Sequence, residues 1–448
     1  MRQHFSQINN PKDTTMPTQP QPKPQPQPRT PEPREPRNQK ERTLILNATV
    51  IGVDLHSEQI TACVITVADG KCAKPRFFTT PVENAEAAFR KHAKPSDPLL
   101  IEATTNAFHL AERLAAIGLN PLVVTSDCVA RKERPDRVND RIDAENLANA
   151  HISGDTVEVW QPSPQHRDMR QLFFARRDAL NNATRTVNRI WGLLNARGLK
   201  TSRTQIKKAK DACELLPNGP AFALLHLGQL MDDYRAALAH RDACDTLIAR
   251  HAASNPDVQR LLRVLGIHIL TAFALVAFIE DANRFAGPKQ LVRYLGLNPS
   301  VRTSGKYTGS RAISRFGRRD LRMLLIEGAQ SAYRHGAHAM HKWARRLTGR
   351  KGIRNIGVVA LARKMAVCVW HLLKGHPLPD SVAREDASFL RKLAKLASVA
   401  GKAHLQTLGF HSPGAFVQHL IGQSDSNREK ATNNDFSMKH FQKEEVQA

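Results

Sequence analysis

Four carboxylates in the first third of the chain occupy positions where an acidic side chain needs a charged partner. Asp54 lies inside the apolar run VIGVDL, and Glu102 lies inside a second apolar run, PLLIEAT. Asp140 and Asp143 are three residues apart around the start of a predicted helix, so both side chains can point the same way. Because burying an isolated carboxylate is costly, the pattern predicts that these acids are paired or bind a cation.

Metal-assisted phosphoryl transfer is the chemistry that such a set favours. Ligands that are all oxygen suit Mg²⁺ or Mn²⁺, and two such ions about 3.5–4 Å apart stabilise the attacking and leaving oxygens of a displacement at phosphorus.

Simpler interpretations exist for each acid. An aspartate in a strand can be a turn or capping residue, and Asp140 with Asp143 could stabilise a helix N-terminus through its dipole. The positions of Asp54 and Glu102 inside two buried strands favour the metal site.

A second candidate site surrounds Ser304, in the sequence VRTSGKYTGSRAISRFGRR. Serine is a weak nucleophile unless a base or a metal activates it, and Lys306 is close in sequence. The loop is strongly basic, which suits a grip on nucleic-acid phosphates. A loop that only binds DNA, with Ser304 as a capping residue, is the alternative, and Ser310 and Ser314 are other nucleophile candidates. The predicted nucleic-acid-binding residues are Arg302, Lys306, Arg311, Arg315, Arg318, Arg319 and Arg322.

The elements that must position the first site change from consecutive strands to alternating helices and strands. Three β-like runs (48–55, 59–70 and 74–82) precede a helix, a strand (98–104), a helix, a strand (120–126) and a last helix that carries Asp143. The order β-β-β-α-β-α-β-α predicts an α/β domain with a ribonuclease-H-like fold. In that fold the first and fourth strands are neighbours and the last helix packs across their ends, so the four carboxylates would converge.

The remainder of the chain is predicted to be mostly helical. Apolar spacing over 165–250, interrupted by LLPNGP (215–220), indicates long antiparallel helices and a coiled-coil arm, with a local helical hairpin as the alternative. VLGIHILTAFALVAFI (264–279) resembles a helix-hairpin-helix, whose backbone N–H groups contact a phosphate. Residues 293–329 are predicted to run from a helix through a glycine-rich loop into another helix, and 355–375 form a further helix.

The balance of charges points to nucleic acid as the partner. The 448 residues include 66 Lys and Arg against 41 Asp and Glu, which gives a formal net charge of +25. Such an excess attracts polyanions, of which nucleic acid is the commonest. A basic protein of membrane surfaces or of the ribosome is the alternative, and the clustering of arginines favours nucleic acid.

Cysteine usage and hydropathy argue against several other classes. The six cysteines have no C-x-x-C spacing, which argues against a zinc module or a disulfide framework and fits a reducing cytoplasm. We find no apolar run of the roughly 18 residues that a membrane span needs. The N-terminus lacks the apolar core of a secretory signal. A cytoplasmic location is therefore expected.

Changes in composition divide the chain into five predicted segments. The first is rich in Pro and Gln and cannot bury enough apolar surface to fold. The segments are a disordered tail (1–45), a ribonuclease-H-like catalytic domain (46–155), a helical coiled-coil linker (156–255), a mostly helical C-terminal domain with Ser304 (256–380) and a polar tail of unknown role (381–448). Within the last segment, a short helical stretch is predicted near 388–422.

The ordered set of motifs resembles that of the DEDD-class insertion-sequence transposases, the IS one-ten family. These motifs are GVDL (52–55), IEAT (101–104), DRIDA (140–144), GLNPSVRTSG (296–305) and SRFGRRDLR (314–322). The resemblance covers about residues 48–378 and includes the long helical segment. It implies a RuvC-like nuclease domain of ribonuclease-H fold, followed by a C-terminal transposase domain.

The resemblance also implies an activity, that of a site-specific DNA recombinase. The carboxylate tetrad of the family maps onto Asp54, Glu102, Asp140 and Asp143, and its nucleophilic serine, which forms a covalent phosphoserine with DNA, maps onto Ser304. Characterised members are guided by a structured RNA from the ends of their own element, which pairs with donor and target DNA. A bacterial, nucleoid-associated protein is expected. One departure concerns the first motif, where His56 follows Asp54 and Leu55 and members often carry a small residue and a lysine after the aspartate.

Two other functions are compatible with the same residues. A nuclease that resembles Holliday-junction resolvases would use water at the carboxylates and would leave Ser304 dispensable. A non-enzymatic nucleic-acid-binding protein would need neither the serine nor the carboxylates. A recombinase is expected to act as a homodimer or tetramer, because strand exchange needs at least two nucleophiles and the long helices offer an interface.

Overall fold

The computed structural model divides into two compact units, Met1–Gln161 and Pro162–Ala448. The first unit is built on a sheet, and the second is mainly helical. The structure describes residues 48–125, 139–304, 307–314, 316–336, 339–376 and 386–431. The predicted N-terminal tail lies outside these residues.

The sheet of the first unit is mixed and six-stranded. Its strands are β1 (Ala48–Leu55), β2 (Gln59–Ala68), β3 (Lys71–Cys72), β4 (Arg76–Pro81), β5 (Pro98–Glu102) and β6 (Asn120–Val124). The order across the sheet is β3-β2-β1-β5-β6, and β4 also pairs with β2. β1 is antiparallel to β2 and parallel to β5, and β5 is parallel to β6. This is a ribonuclease-H-like arrangement, and the predicted adjacency of the strands carrying Asp54 and Glu102 is confirmed.

Helices cover both faces of this sheet. They are α1 (Ala85–His92), α2 (Ala107–Ala116) and α3 (Asp140–Ile152). Ile51 of β1 packs in a core shared with α1 and α2, whereas Val50 packs in the opposite core, shared with α3. Because successive side chains of a strand point to opposite faces, Asp54 lies on the α3 face. Leu100 of β5 packs in the α3 core as well, so Glu102 lies on that face too.

Helix α3 rests directly on β1 at Gly52. A Cβ atom at this position would lie 1.9 Å from the carbonyl oxygen of Ala144 and 2.9 Å from the nitrogen of Ala148. No side chain fits between the strand and the helix at this separation. Gly52 therefore allows the backbone of α3 to approach the sheet, and the first turn of α3, with Asp140 and Asp143, comes with it.

The described part of the second unit consists of thirteen α-helices, a short 3-10 helix (Ala282–Arg284) and one β-hairpin. The helices are α4 (Pro164–Asn195), α5 (Arg203–Lys208), α6 (Ala212–Leu215), α7 (Ala221–Ser254), α8 (Pro256–Leu261), α9 (Ile269–Ile279), α10 (Pro288–Tyr294), α11 (Arg319–His335), α12 (Ala339–Lys351), α13 (Arg354–Leu373), α14 (Asp386–Ala400), α15 (Lys402–Thr407) and α16 (Pro413–Ala431). Helix α9 lies in the core, and each of its residues from Thr271 to Ile279 is buried.

The two long helices α4 and α7 run antiparallel. Phe173, in the first third of α4, shares a core cluster with Ile248, near the end of α7. Leu194, at the end of α4, shares another with Leu227, near the start of α7. The prediction of long antiparallel helices is thus confirmed, whereas a coiled-coil arm stays a prediction.

Helix α13 is long and apolar enough to cross a membrane by length and composition. Most of its apolar window is buried inside the second unit, where Leu361, Ala362 and Met365 are fully inaccessible. Its apolar residues therefore contribute to the core formed with the neighbouring helices.

The segment expected to be a polar tail contains three helices, α14 to α16, and part of it is core. Leu393, Leu396 and Phe416 are fully buried with the apolar side chains of the other helices. The ammonium group of the buried Lys392 donates hydrogen bonds of 2.8 Å to the carbonyl oxygens of Leu262 and Val264. These contacts tie α14 to the turn that follows α8, so this part of the chain completes the fold of the second unit.

The turn between α8 and α9 is packed against protein. A Cβ atom at Gly266 would lie 2.4 Å from the carbonyl oxygen of Gly328 in α11, and Ile267 is fully buried. This packing argues against the phosphate contact that was predicted for the turn from its resemblance to a helix-hairpin-helix.

A β-hairpin stands where a glycine-rich loop was predicted. Its strands, β7 (Pro299–Ser304) and β8 (Tyr307–Ile313), are antiparallel, with a shift of register between Pro299 and Val301. The loop prediction was wrong because glycine and serine are frequent in this stretch, while its β-branched residues are spaced too irregularly to show a strand pattern.

We expect the substitution Gly52→Ala to lower the free energy of unfolding by about 1–3 kcal/mol, because the methyl group forces α3 away from β1. Urea unfolding of the full chain measures the change. Gly192→Ala is the matched control, since a Cβ at that exposed helical position meets nothing within 4 Å and alanine there should stabilise α4 by about 0.5–1 kcal/mol. Equal stabilities of the Gly52 variant and the wild type would show that α3 does not depend on this contact.

Candidate functional site

Two of the predicted carboxylates stand at the ends of neighbouring parallel strands. The registered pair Val53 and Ile101 is followed on β1 by Asp54 and on β5 by Glu102. Both side chains lie on the face that α3 covers, and the Asp54 side chain is only 15% exposed. The parallel register therefore brings these two acids side by side.

The other two carboxylates lie in the first turn of α3. The side chain of Asn139 caps the helix by accepting a 3.0 Å hydrogen bond from the backbone nitrogen of Arg141. Negative side chains are favoured in the first turn because the helix dipole is positive there. Asp140 and Asp143 therefore also stabilise the start of α3.

The carboxylates of this set are close enough for their charges to interact. Burial raises the pKa of Asp54; His56 opposes this shift, and the charges of Asp140 and Asp143 add to it. The pKa of Glu102 is raised by burial first, and then by Asp54 and Asp143. Carboxylates that raise one another's pKa repel, and a cation between them would relieve this repulsion.

His56 adds an imidazole to this cluster. Its Nε2 lies 3.1 Å from Oδ2 of Asp54 and 3.6 Å from Oδ1 of Asp140. The possible ligand atoms of these three residues all lie within 4.8 Å of one another. The spacing and the acidic donor set fit a divalent metal ion, and the described part of the first unit places the cluster at the edge where β1 and β5 end.

Ser304 is the last residue of β7 and pairs with Tyr307 of β8. The structure describes the backbone of these strands, including Arg302 and Arg311, whereas Lys306 and Arg315 lie outside the described residues. The pairing puts Ser304 at the turn end of the hairpin, away from the base where the strands join the helices.

Arg322 fastens the base of this hairpin. Its Nη1 donates hydrogen bonds to the carbonyl oxygens of Gly296 at 3.4 Å and of Ser314 and Phe316 at 3.3 Å. The chain segments on both sides of the hairpin are therefore joined through one guanidinium group. A contact between Arg322 and nucleic acid stays a prediction, but this geometry gives the residue a structural role.

A cluster of three arginines surrounds Phe278 at the end of α9. Arg170 and Arg318 lie 5.1 and 4.3 Å from the centre of the Phe278 ring, and Arg284 donates a hydrogen bond of 3.0 Å to the Phe278 carbonyl oxygen. Burial lowers the pKa of Arg170, and the charges of Arg318 and Arg284 lower it further. Arg318 directly precedes α11, so this cluster concentrates positive charge near the hairpin base. Of these three arginines, only Arg318 was predicted from the sequence to bind nucleic acid. Arg170 and Arg284 are distant from Arg318 in the chain, so the sequence did not group them with it.

Two family models match separate parts of the chain. Residues 51–197 match the model of the DEDD transposases of the IS110 type. Residues 258–344 match the model described as the transposase IS116/IS110/IS902 family. The first match contains the four carboxylates, and the second contains Ser304. The chain belongs to this family of transposases.

Curated relatives carry the same description. The transposase is 26% identical over 342 residues to "Transposase for insertion sequence element IS1111A" of Coxiella burnetii, an alignment that covers 75% of this chain and 92% of the relative. It is 28% identical over 297 residues to "Probable family 20 transposase" of Pseudomonas aeruginosa, covering 64% of this chain and 87% of the relative. Transposases cut and rejoin DNA, so the chain is an enzyme that acts on DNA.

The structure places two further residues, Gly52 and His56, at the acidic site of the transposase. The sequence alone gave neither of them a role. Gly52 was quoted only as part of a motif, although its place two residues before Asp54 on the same strand face is a usable signal for a close helix contact. His56 is two residues after Asp54, but a bend of the chain after β1 decides where its ring lies.

The raised pKa of Glu102 predicts how the metal-free transposase responds to pH. Between the ordinary and the raised pKa the folded state binds more protons than the unfolded chain, so stability falls as pH rises through that interval. Glu102→Gln removes the charge and should have a higher Tm than wild type at pH 7 in EDTA. The difference should vanish below about pH 4, where the carboxyl is protonated in both states. Melting curves across pH measure this effect, and the exposed Glu83→Gln variant should show no such gain.

The contacts of Arg322 predict that Arg322→Ala loosens the hairpin. Loss of charged hydrogen bonds to backbone carbonyls should cost about 1.5–3 kcal/mol, and the amides of β7 and β8 should exchange with solvent faster. Hydrogen exchange followed by mass spectrometry provides the measurement. The exposed neighbour Arg319 is the matched control, as Arg319→Ala should leave these amides unchanged. Identical exchange in all three proteins would mean that Arg322 does not hold the hairpin.

Proposed function

We propose that this transposase cuts and rejoins DNA with a divalent metal held by Asp54, Glu102, Asp140 and Asp143, and with Ser304 as the nucleophile. The observation that supports the first part is the convergence of four acids from β1, β5 and α3 on one edge of the sheet. The second part rests on the position of Ser304 at the turn end of β7 and on the motif that this residue shares with the family.

The acidic cluster needs a cation to be stable in a charged state. Asp54 and Glu102 are each destabilised as anions by burial and by the other carboxylates. Buried charges of this kind are unfavourable unless a metal or a cationic partner is present. Oxygen donors suit Mg²⁺ or Mn²⁺, which when bound would stabilise charge on the attacking and leaving oxygens at phosphorus.

Ser304 would open the reaction by attacking a DNA phosphodiester. Its Oγ forms a bond to phosphorus as a bond from phosphorus to a DNA oxygen breaks, and the serine proton ends on the departing hydroxyl. A hydroxyl of a second DNA end then attacks the phosphoserine and releases the serine. The number of phosphodiester bonds is conserved, so strands are exchanged without an external source of energy.

Positive charge around the hairpin supports binding of DNA in this region. Arg318 directly precedes α11 and Arg319 is its first residue, and Arg170 and Arg284 lie with Arg318 around Phe278. Arginines in such numbers neutralise phosphates and also stabilise the charge that develops during phosphoryl transfer. The net charge of +25 extends this attraction over the whole chain.

Two further features of the proposal come from the resemblance to the family. The transposase would be guided by an RNA encoded by its element, which pairs with donor and target DNA. It would act as a homodimer or tetramer, since each exchange of strands needs at least two serines. The long helices α4 and α7 offer an interface for such an assembly.

The proposal predicts a covalent protein–DNA adduct that depends on Ser304. The purified transposase is incubated with DNA of its element ends, the transcribed flanking RNA and Mg²⁺, and adducts are detected on denaturing gels. We expect Ser304→Ala to abolish the adduct while DNA binding is retained, and Asp54→Asn to abolish both adduct and cleavage. Ser310→Ala, in the same hairpin, is the matched control and should leave the adduct intact.

Other outcomes distinguish the competing functions. Cleavage that survives in Ser304→Ala but is lost in Asp54→Asn would replace the serine mechanism with hydrolysis at the carboxylates. Binding without cleavage by any of the proteins would favour a role in binding alone. An adduct lost in Ser310→Ala and kept in Ser304→Ala would identify Ser310, in β8, as the nucleophile.

A further inference from the structure

Among the described residues near the carboxylates, His56 has a position that neither the motifs nor the proposed reaction explains. It follows β1 directly, and its side chain is 56% exposed. The ring nevertheless faces the acidic cluster, with Nε2 3.1 Å from Oδ2 of Asp54. An exposed histidine that turns toward two carboxylates of different elements is a candidate ligand for the ion they hold.

The distances around Nε2 match those between ligands of a single metal ion. With metal–ligand bonds of about 2.1 Å, neighbouring ligands of an octahedral ion lie about 3 Å apart and opposite ligands about 4.2 Å apart. Nε2 of His56 is 3.1 Å from Oδ2 of Asp54 and 3.6 Å from Oδ1 of Asp140. The possible ligand atoms of the three residues all lie within 4.8 Å of one another, which is close to the separations that one ion requires.

The backbone of His56 is held from two directions, which limits where the imidazole can reach. Its nitrogen donates a 3.0 Å hydrogen bond to the carbonyl oxygen of Gln59, which closes the turn between β1 and β2. Its own carbonyl oxygen accepts a 3.2 Å hydrogen bond from the side chain of Asn106. Asn106 in turn accepts one from the Thr104 hydroxyl, two residues beyond Glu102. The segment that carries Glu102 therefore also fixes the histidine.

We propose that His56 is a nitrogen ligand of the metal ion at the carboxylate site and that it makes this site favour Mn²⁺ over Mg²⁺. This inference rests on the proposed metal-dependent function. Mg²⁺ is a hard cation that takes oxygen ligands almost exclusively, whereas Mn²⁺ also accepts imidazole. A site with four carboxylates alone would bind both ions through oxygen, and the added nitrogen gives a reason for selection.

The simpler alternative is that His56 only donates a hydrogen bond to Asp54. A distance of 3.1 Å fits this role as well as it fits a shared ion. The two roles differ in one measurable property, which is whether a histidine nitrogen is bonded directly to the bound metal. A spectroscopic test of the metal-loaded protein therefore separates them without any need for activity.

The experiment uses the full-length transposase loaded with Mn²⁺ and pulsed electron paramagnetic resonance, which detects nuclei bonded to the ion. We expect the wild type to show modulation from a directly bonded ¹⁴N, and this signal should change to that of ¹⁵N after labelling of histidine. The modulation should be lost in His56→Gln and kept in His109→Gln, an exposed histidine of α2 in the same unit. Melting curves in EDTA verify that both variants are folded.

Affinity supplies a second readout. Titration of free Mn²⁺ should show that His56→Gln weakens Mn²⁺ binding by about 10–100-fold, the range seen when groups that merely orient metal ligands are removed. Competition with Mg²⁺ should show little change in Mg²⁺ affinity, so the preference for Mn²⁺ is lost.

Two results would overturn the inference, and they differ in what else they overturn. Mn²⁺ that binds the wild type without ¹⁴N modulation would exclude His56 as a ligand and leave the carboxylate site intact. A wild type that binds no Mn²⁺, or binds it equally well after Asp54→Asn, would remove the proposed metal site together with the role of His56. Because the wild-type spectrum alone decides the first point, the test does not depend on the folding of a variant.

Discussion

The contact between Gly52 and the backbone of α3 is the constraint on which the acidic site depends. Four carboxylates at one sheet edge repel one another, and burial raises the pKa of Asp54 and of Glu102. Packing of α3 against the sheet, at a separation that admits no side chain on Gly52, holds these groups together. The stability of the first unit thus offsets an electrostatic repulsion that a bound cation would turn into attraction.

Both candidate sites lie at the end of a strand. Asp54 and Glu102 are placed by the parallel register of β1 and β5, in which hydrogen bonds along the whole strand fix the last residue. Ser304 is placed by the antiparallel pairing of β7 with β8, and Arg322 ties the base of that hairpin to α11. A rigid strand end suits catalysis because misplacement of a reacting group by about 1 Å costs a large factor in rate.

The second unit extends beyond the region that matches the transposase family model. Helix α14 contributes Leu393 and Leu396 to the core, and Lys392 holds the turn after α8 through two carbonyl oxygens. The contribution of α14 to the core was not predicted because its sequence is polar and charged. A helix that buries one narrow apolar stripe remains polar over most of its surface. The helix core around α9 therefore needs residues well past the matched segment at 258–344.

The sequence by itself predicted the main strands and helices of the first unit and singled out the four acids, because the apolar runs of β1 and β5 and the spacing of Asp140 and Asp143 are local patterns. It also gave the family through motifs that are short and ordered. The two-residue strand β3 was not predicted. Tertiary structure decided the rest. The hairpin of Ser304, the anchor at Arg322, the arginines around Phe278 and the position of His56 all join residues that are far apart in the chain or follow from a turn. Such contacts depend on how elements pack, and they cannot be predicted from the local propensity of each segment.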